Sequence, residues 1–232
     1  MDSLYPRIRF VGDAGILVEF GDHVERTIHE QVLKLDHLLT VKPFKGQTSS
    51  VPSYAALLVG YDPCEVEPKD VEDRIRDLLE VPCNSAPATQ NHEIFVCYDD
   101  AVAPDLSAVA TQMGITTQEV IAAHLSTTYR VYMYGFAPGF AYLGGVPRSI
   151  QVPRRTEPVR GVPSGSVIIA GPQCIVTTLE MPSGWWRIGR SPNRILDPEL
   201  EHPFLFNVGD GVQFVRVELD EFEALERANK TS

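Results

Sequence analysis

Between Arg148 and Arg194 the chain carries seven arginines, at positions 148, 154, 155, 160, 187, 190 and 194, against only Glu157 and Glu180. No lysine occurs between Lys69 and Lys230. Arginine offers a planar fork that meets carboxylate or phosphate through two hydrogen bonds, whereas lysine is a point charge. Seven positive against two negative residues is a local +5 inside a protein of formal charge −11. That pattern points to recognition of a small anion; the alternative is a set of solvated surface charges. Upstream, residues 131–155 read VYMYGFAPGFAYLGGVPRSIQVPRR. Aromatics alternate there with Gly and Pro, and no charge falls between Arg130 and Arg148. Gly135, Phe136, Pro138, Gly139 and Phe140 are expected to shape the wall of a pocket, and Arg154, Arg155 and Arg190 to hold anionic groups. The tight turn VPSGSV, with Ser164 and Ser166, would add backbone donors. Such a pocket suits a small polar or carboxylate-bearing ligand.

Catalytic groups are scarcer. Ser164 and Ser166 do not form G-x-S-x-G, and both also read as turn residues that satisfy backbone groups. Without lysine this half of the chain has no place for a Ser-Lys pair, a Schiff base or an attached biotin. His124 lies near the C-terminal end of a predicted helix, where the dipole favours the imidazolium. It is the one candidate for proton transfer or anion binding, set against a structural reading as a lone histidine on a half-apolar face. Trp185 and Trp186 sit in a strand-like run, so one is expected to face core and the other the opposite side. An exposed tryptophan beside Arg187 and Arg190 would suit a flat ligand. Cys64, Cys83, Cys97 and Cys174 are scattered, with no C-x-x-C and no nearby histidine cluster, and read as reduced thiols rather than a metal or redox site. Neither a Walker loop nor a Rossmann glycine pattern is present.

These residues need a scaffold, and the 232-residue chain is long enough for two modest domains or one large one. Its 44% hydrophobic and 22% charged content is that of an ordinary globular protein. The acidic balance argues against general nucleic-acid or anionic-lipid binding. The N-terminus lacks a signal-peptide layout and no run of ~18 apolar residues exists, so a cytoplasmic protein without a membrane role is expected. The first part alternates strand and helix. Ile8 to Val11 and Gly15 to Phe20 read as strands joined at Gly12-Asp13, and Asp22 is expected to cap a helix whose stripe is Ile28, Val32, Leu35 and Leu39. Tyr54 to Tyr61 is a further strand, and Val71, Ile75, Leu78 and Leu79 mark a second helix that stops at Val81-Pro82. The polar stretch CNSAPATQN, residues 83–91, is the linker candidate, giving domains 1–86 and 87–232. Beyond it come strand Glu93 to Tyr98 and two short helices, the second opened by the capping box Thr116-x-x-Glu119. From Tyr134 to Pro192 nine Gly and eight Pro exclude a long helix. Val167 to Ala170, Cys174 to Leu179, Trp185 to Gly189 and Gly211 to Glu218 read as strands of a β-barrel or sandwich. Asp220-x-x-Glu223 is expected to cap a terminal helix.

Several long motifs in order make the pattern specific: YMYGFAPGFAYLGGVP (132–147), VPRR, GVPSGSVIIAG, GWWRIGRSP (184–192), and near the start GDAGILVEFG (12–21) and VPSYAALLVGYDP (51–63). The chain resembles, over nearly its whole length, the family of the B-type subunits of 5-oxoprolinase, also called allophanate hydrolase subunit 1 or the sporulation kinase inhibitor family. It also resembles part of the carboxyltransferase region of urea carboxylase. The resemblance implies an α+β protein of two domains, a small N-terminal α/β sandwich followed by a cyclophilin-like β-barrel. It implies a C-type partner (allophanate hydrolase subunit 2) and an A-type homologue, with ATP used by the complex to open the lactam of 5-oxoproline. Two alternatives come with it: half of a biotin-dependent urea-type carboxyltransferase, or a non-catalytic inhibitor of a sensor histidine kinase. The family's P-R-x-x-V-P and G-G-Q-T-G segments here read PVRGVP and GPQCIV. Val159 therefore stands where an arginine is usual, and Cys174-Ile175 replace Thr-Gly beside Gln173, itself a candidate binding residue. These departures leave the choice among small amide or lactam substrates open.

Overall fold

The computed structural model describes residues 5–82 and 89–231. The chain divides into two compact units, Met1–Ala88 and Thr89–Ser232, each with its own core. The expected boundary near residue 86, and most of the expected linker, lie outside the described residues.

The first unit is an antiparallel sheet with two helices. Its strands are β1 (Arg7–Val11), β2 (Gly15–Glu19), β3 (Gln47–Pro52) and β4 (Ala56–Tyr61), in the order β1-β2-β4-β3. Helices α1 (Arg26–Val41) and α2 (Pro68–Glu80) supply the apolar layer. Period-2 burial puts Ile16 and Val18 of β2 with Leu57 and Val59 of β4 on one face. The helical stripe Ile28, Val32, Leu35 and Leu39 meets them, joined by Val71, Ile75 and Leu78 of α2. The strand Gln47–Pro52 has no counterpart in the sequence-based reading. It is a polar edge strand with no fully buried residue, so it lacks the apolar alternation that reveals inner strands. Asp22 does not cap α1: the N-cap is Glu25, without a side-chain bond, and Asp22 pairs with His23. Pro68 opens α2, where its fixed φ suits the first turn.

The second unit is a barrel. Strands β5 (Asn91–Val96), β6 (Tyr129–Tyr134), β7 (Ala141–Gly144), β9 (Ser166–Ala170), β10 (Gln173–Val176), β12 (Trp186–Arg190) and β13 (Gly211–Arg216) form one sheet in the order β12-β9-β10-β7-β6-β13-β5. A bridge between Cys97 and Arg190 joins its two ends, Cys97 N donating to Arg190 O at 2.8 Å and Arg190 N to Cys97 O at 2.9 Å. The sheet is thereby nearly closed. Helices α3 (Leu106–Met113) and α4 (Thr117–Leu125) add Leu106, Val109, Val120 and Ile121 to the barrel core. Thr116 and Glu119 form the expected capping box at α4. A ribbon of β8 (Val159–Val162) and β11 (Met181–Ser183) packs with the outward residues Ile168 and Ile175 and with Phe140. That second contact explains why every residue of β9 is buried. Trp186 packs against the inner core and Trp185 against this outer cluster, so both tryptophans are packed, on opposite faces.

The glycine-rich stretch that precedes the basic region forms the antiparallel hairpin β6–β7. Helix α5 (Leu219–Thr231) follows β13, with Asp220 inside its first turn rather than at its cap. No described helix is long and apolar enough to cross a membrane.

One polar knot holds the end of the barrel. Asp210, 1% exposed, accepts from Gln90 N and Asn207 N at 2.8 Å each and pairs with His92 Nε2 at 2.8 Å. Removing a buried acceptor strands its donors, which costs more than the net worth of the bonds. Asp210→Ala should therefore lower unfolding free energy by about 3 kcal/mol in urea titrations. A loss below about 1 kcal/mol would show that the knot is not a stability determinant.

Candidate functional site

The seam of the barrel carries the cleft. Arg190 ends β12, opposite Ser166 of β9, after a bulge between Arg187 and Gly189 that re-aims the strand. The turn VPSGSV is built beside it. Gly165 has φ +77°, and a Cβ there would lie 2.5 Å from Ser191 O. Only glycine allows both the left-handed backbone and that approach. Gly165 N donates to Thr177 O and Ser191 N donates to Gly165 O, both at 2.7 Å. Ser166 Oγ and Thr177 Oγ1 both donate to Pro163 O, at 2.8 and 2.7 Å. Asn193 accepts from Phe95 N at 2.8 Å, fixing the chain that leaves the seam.

Around this frame lies a cleft of about 260 Å³, lined by Ser164, Gly165, Thr177, Thr178, the segment 190–196, Glu226 and Asn229. Arg190 gives it a fixed cation: Nε donates to Ser164 O at 3.3 Å, and Nη2 pairs with Glu226 Oε1 at 2.6 Å. Arg194 is tied to Asp197 at 3.0 Å. Hydroxyl, amide and guanidinium groups suit a small polar ligand with an anionic group. Among the described lining residues there is no His, Cys or Lys. The cleft can bind and orient, and Glu226 is the one carboxylate among its described lining residues.

The sequence-predicted site residues do not fall in one place. Ser164 and Arg190 line the cleft; Ser166 is fully buried and committed to the turn. The hairpin tip reaches it from one side, with Thr178 Oγ1 donating to Pro138 O at 2.7 Å and Gly139 against Thr178 and Leu196. Gly135 closes the tip through its N–H to Phe140 O at 3.2 Å. Phe140 is buried in the outer cluster and does not face a ligand. Phe136 is 74% exposed with φ 68°, a left-handed backbone that costs a residue with a side chain roughly 1–2 kcal/mol.

Arg154 and Arg155 do not join Arg190. They line a separate groove of about 350 Å³ with Gln112, Glu157 and Trp186. Arg155 pairs with Asp105 at 2.6 Å and lies over the Trp186 ring at 3.7 Å. Asp105 also accepts from Arg187 N at 2.8 Å, so this arginine pins α3 to β12. Gln173 begins β10, four residues before Thr177 and therefore roughly 13 Å along the strand from the cleft. Its backbone partners are Ala170 and Gly144. Thr177, Thr178, Asn193 and Glu226 line the cleft without a sequence signal of their own. Each is an ordinary polar residue until the fold gathers it.

His124 is the clear correction. It is fully buried, stacked on Phe214 at 4.5 Å, with Nδ1 2.7 Å from Tyr98 Oη and Nε2 3.7 Å from Cys174 Sγ. Burial lowers its pKa to about 3. Desolvation overrides the helix dipole, so the ring is neutral rather than imidazolium. Of the cysteines, Cys97 and Cys174 are buried, Cys64 is exposed, and Cys83 lies outside the described residues. No group of three His, Cys, Asp or Glu among the described residues stands close enough to hold a metal ion.

The family model for the carboxyltransferase domain, subdomain C and D, matches residues 6–206. A Bacillus subtilis (strain 168) protein, the B-type subunit of 5-oxoprolinase, is 33% identical over 94% of this chain and 95% of its own length. The chain belongs to the family of 5-oxoprolinase B-type subunits. The crystal structure of TTHA0988 superposes with a TM-score of 0.79 at 32% identity, covering 91% of this chain and 40% of that one. The chain thus spans two fifths of that protein. Kluyveromyces lactis urea carboxylase shares the fold, with a TM-score of 0.76 over 99% of this chain and 23% of its own, at 18% identity.

The buried histidine makes a pH prediction. Unfolded, it binds a proton near pH 6.5; folded, only near pH 3. The neutral ring therefore contributes stability that is complete above pH 6.5 and is lost as pH falls toward 3, at up to about 1.4 kcal/mol per pH unit. His124→Gln should flatten the stability curve between pH 6.5 and about 5 relative to the parent, measured by urea unfolding. Parallel curves would show that the folded ring takes up its proton normally.

Proposed function

We propose that this chain is the B-type component of an ATP-dependent 5-oxoprolinase, which opens the lactam of 5-oxoproline to glutamate. The observation that carries this reading is the 33% identity that runs through 94% of this chain and 95% of the Bacillus subtilis protein. The cleft is compatible with it. Arg190 offers a guanidinium for the substrate carboxylate, and Ser164, Thr178 and Asn193 make the lining beside it polar.

The chain works within a complex that includes a C-type homologue (allophanate hydrolase subunit 2) and an A-type homologue. Two features support this. The described cleft lining contains no His, Cys or Lys for proton transfer, and this chain spans only 40% of TTHA0988. ATP belongs to the complex: about 260 Å³ is small for a nucleotide, and no lysine is available between 69 and 230. The location is cytoplasmic, where ATP is supplied. The carboxyltransferase family match favours a second reading, half of a urea-type carboxyltransferase, in which biotin arrives on another chain.

Purified together with C-type and A-type homologues from the same organism, the chain should support ATP-dependent glutamate release from 5-oxoproline. Arg190→Ala should raise KM at least about tenfold, with a smaller effect on kcat, as expected for loss of carboxylate binding. No turnover by the full set overturns the reading, and biotin-dependent carboxylation of urea by the same set establishes the second one.

A further inference from the structure

Helix α5 closes one side of the cleft with a single face. Phe222, Glu226 and Asn229 stand at i, i+4 and i+7, so they share that face. Phe222 is buried, with the Arg190 guanidinium 5.6 Å from its ring centroid. Asn229 Nδ2 donates to Pro192 O at 2.6 Å, which fixes the helix to the strand exit. Between them Glu226 Oε1 meets Arg190 Nη2 at 2.6 Å. Both side chains of this pair are about three-quarters buried, at 24% and 26% exposure. Water screens such a pair less than an open surface pair, so its effect on a competing anion is larger.

The carboxylate of Glu226 therefore occupies the kind of position that a ligand carboxylate would take on Arg190. Charge bookkeeping in the cleft supports this. Arg194 is already engaged by Asp197, so Arg190 is the cation that an arriving anion meets. A second carboxylate arriving at Arg190 must either displace Glu226 or share one guanidinium with it, and like charges at that distance repel.

We propose that Glu226 is a specificity-determining residue that acts as a built-in competitor for Arg190. It holds the guanidinium in place in the empty cleft, and a ligand carboxylate must displace it to bind. Glu226 therefore lowers the cleft's affinity for carboxylate ligands and leaves unchanged its affinity for neutral amides of similar shape, which bind beside the intact pair. This rests on the reading that the cleft takes the carboxylate of the lactam substrate.

The test uses the assembled complex, with KM for 5-oxoproline and the inhibition constant of 2-pyrrolidinone, the same lactam without its carboxylate. Glu226→Gln should lower KM for 5-oxoproline about fivefold, a larger change than in kcat, and leave inhibition by 2-pyrrolidinone within about twofold. Arg190→Gln should raise KM about tenfold or more, and adding Glu226→Gln to it should lower KM by less than it does in the parent, since no guanidinium is left to compete for. Melting temperature, followed in parallel, separates this from a structural role, which would lower stability and weaken both ligands together. If Arg190→Gln raises KM while Glu226→Gln raises it too or leaves it unchanged, the competitor role is overturned and the cleft stands. If Arg190→Gln leaves KM unchanged, the cleft itself is not the carboxylate site and both fall.

Discussion

Two backbone hydrogen bonds between Cys97 and Arg190 decide where this molecule can work. An open seven-stranded sheet would leave the edges of β5 and β12 with unpaired donors and acceptors. Joining them at one bridge pairs the backbone groups of Cys97 and Arg190 and makes the sheet a nearly closed barrel. Closure also fixes Arg190 at the seam, and Asn193 reinforces it by accepting from Phe95 N on the other side. A long cationic side chain cannot enter a filled barrel without a partner. The side chain at the seam therefore leans along the rim, where Ser164 O and Glu226 receive it.

The same closure explains the fate of the histidine. Inside the barrel, Ile94, Leu143, Val167, Cys174 and Phe214 exclude water, and His124 shares that space. A polar ring there must satisfy its nitrogens locally, which Tyr98 and Cys174 do. The helix dipole is a small effect beside this loss of solvation. Arginine at the rim has polar partners and faces a cleft, while histidine in the core is held neutral by burial.

The barrel is a shared frame rather than an activity. Kluyveromyces lactis urea carboxylase carries it at 18% identity, a level at which only the fold is comparable. A shared fold leaves the activity to the residues of the site. In this chain those residues come from the VPSGSV turn, the end of β12, the tip of the β6–β7 hairpin and the face of α5.

Much of the scaffold was legible from local pattern. The stripes of α1 and α2, the capping box of α4 and the inner strands all follow periods that span a few residues, and burial enforces them. The polar edge strand Gln47–Pro52 escaped because an edge buries little and so needs no apolar alternation. The unusual use of arginine, the glycine demanded at position 165 and family membership were likewise fixed by residue types in order along the chain. Which arginines serve one site was not. Arg155 is spent on Asp105 and Trp186, Arg190 faces the cleft, and Glu226 meets it from a distant helix. Those choices depend on which strands become neighbours when the barrel closes, and on which polar groups closure leaves in contact with water. Local pattern records neither.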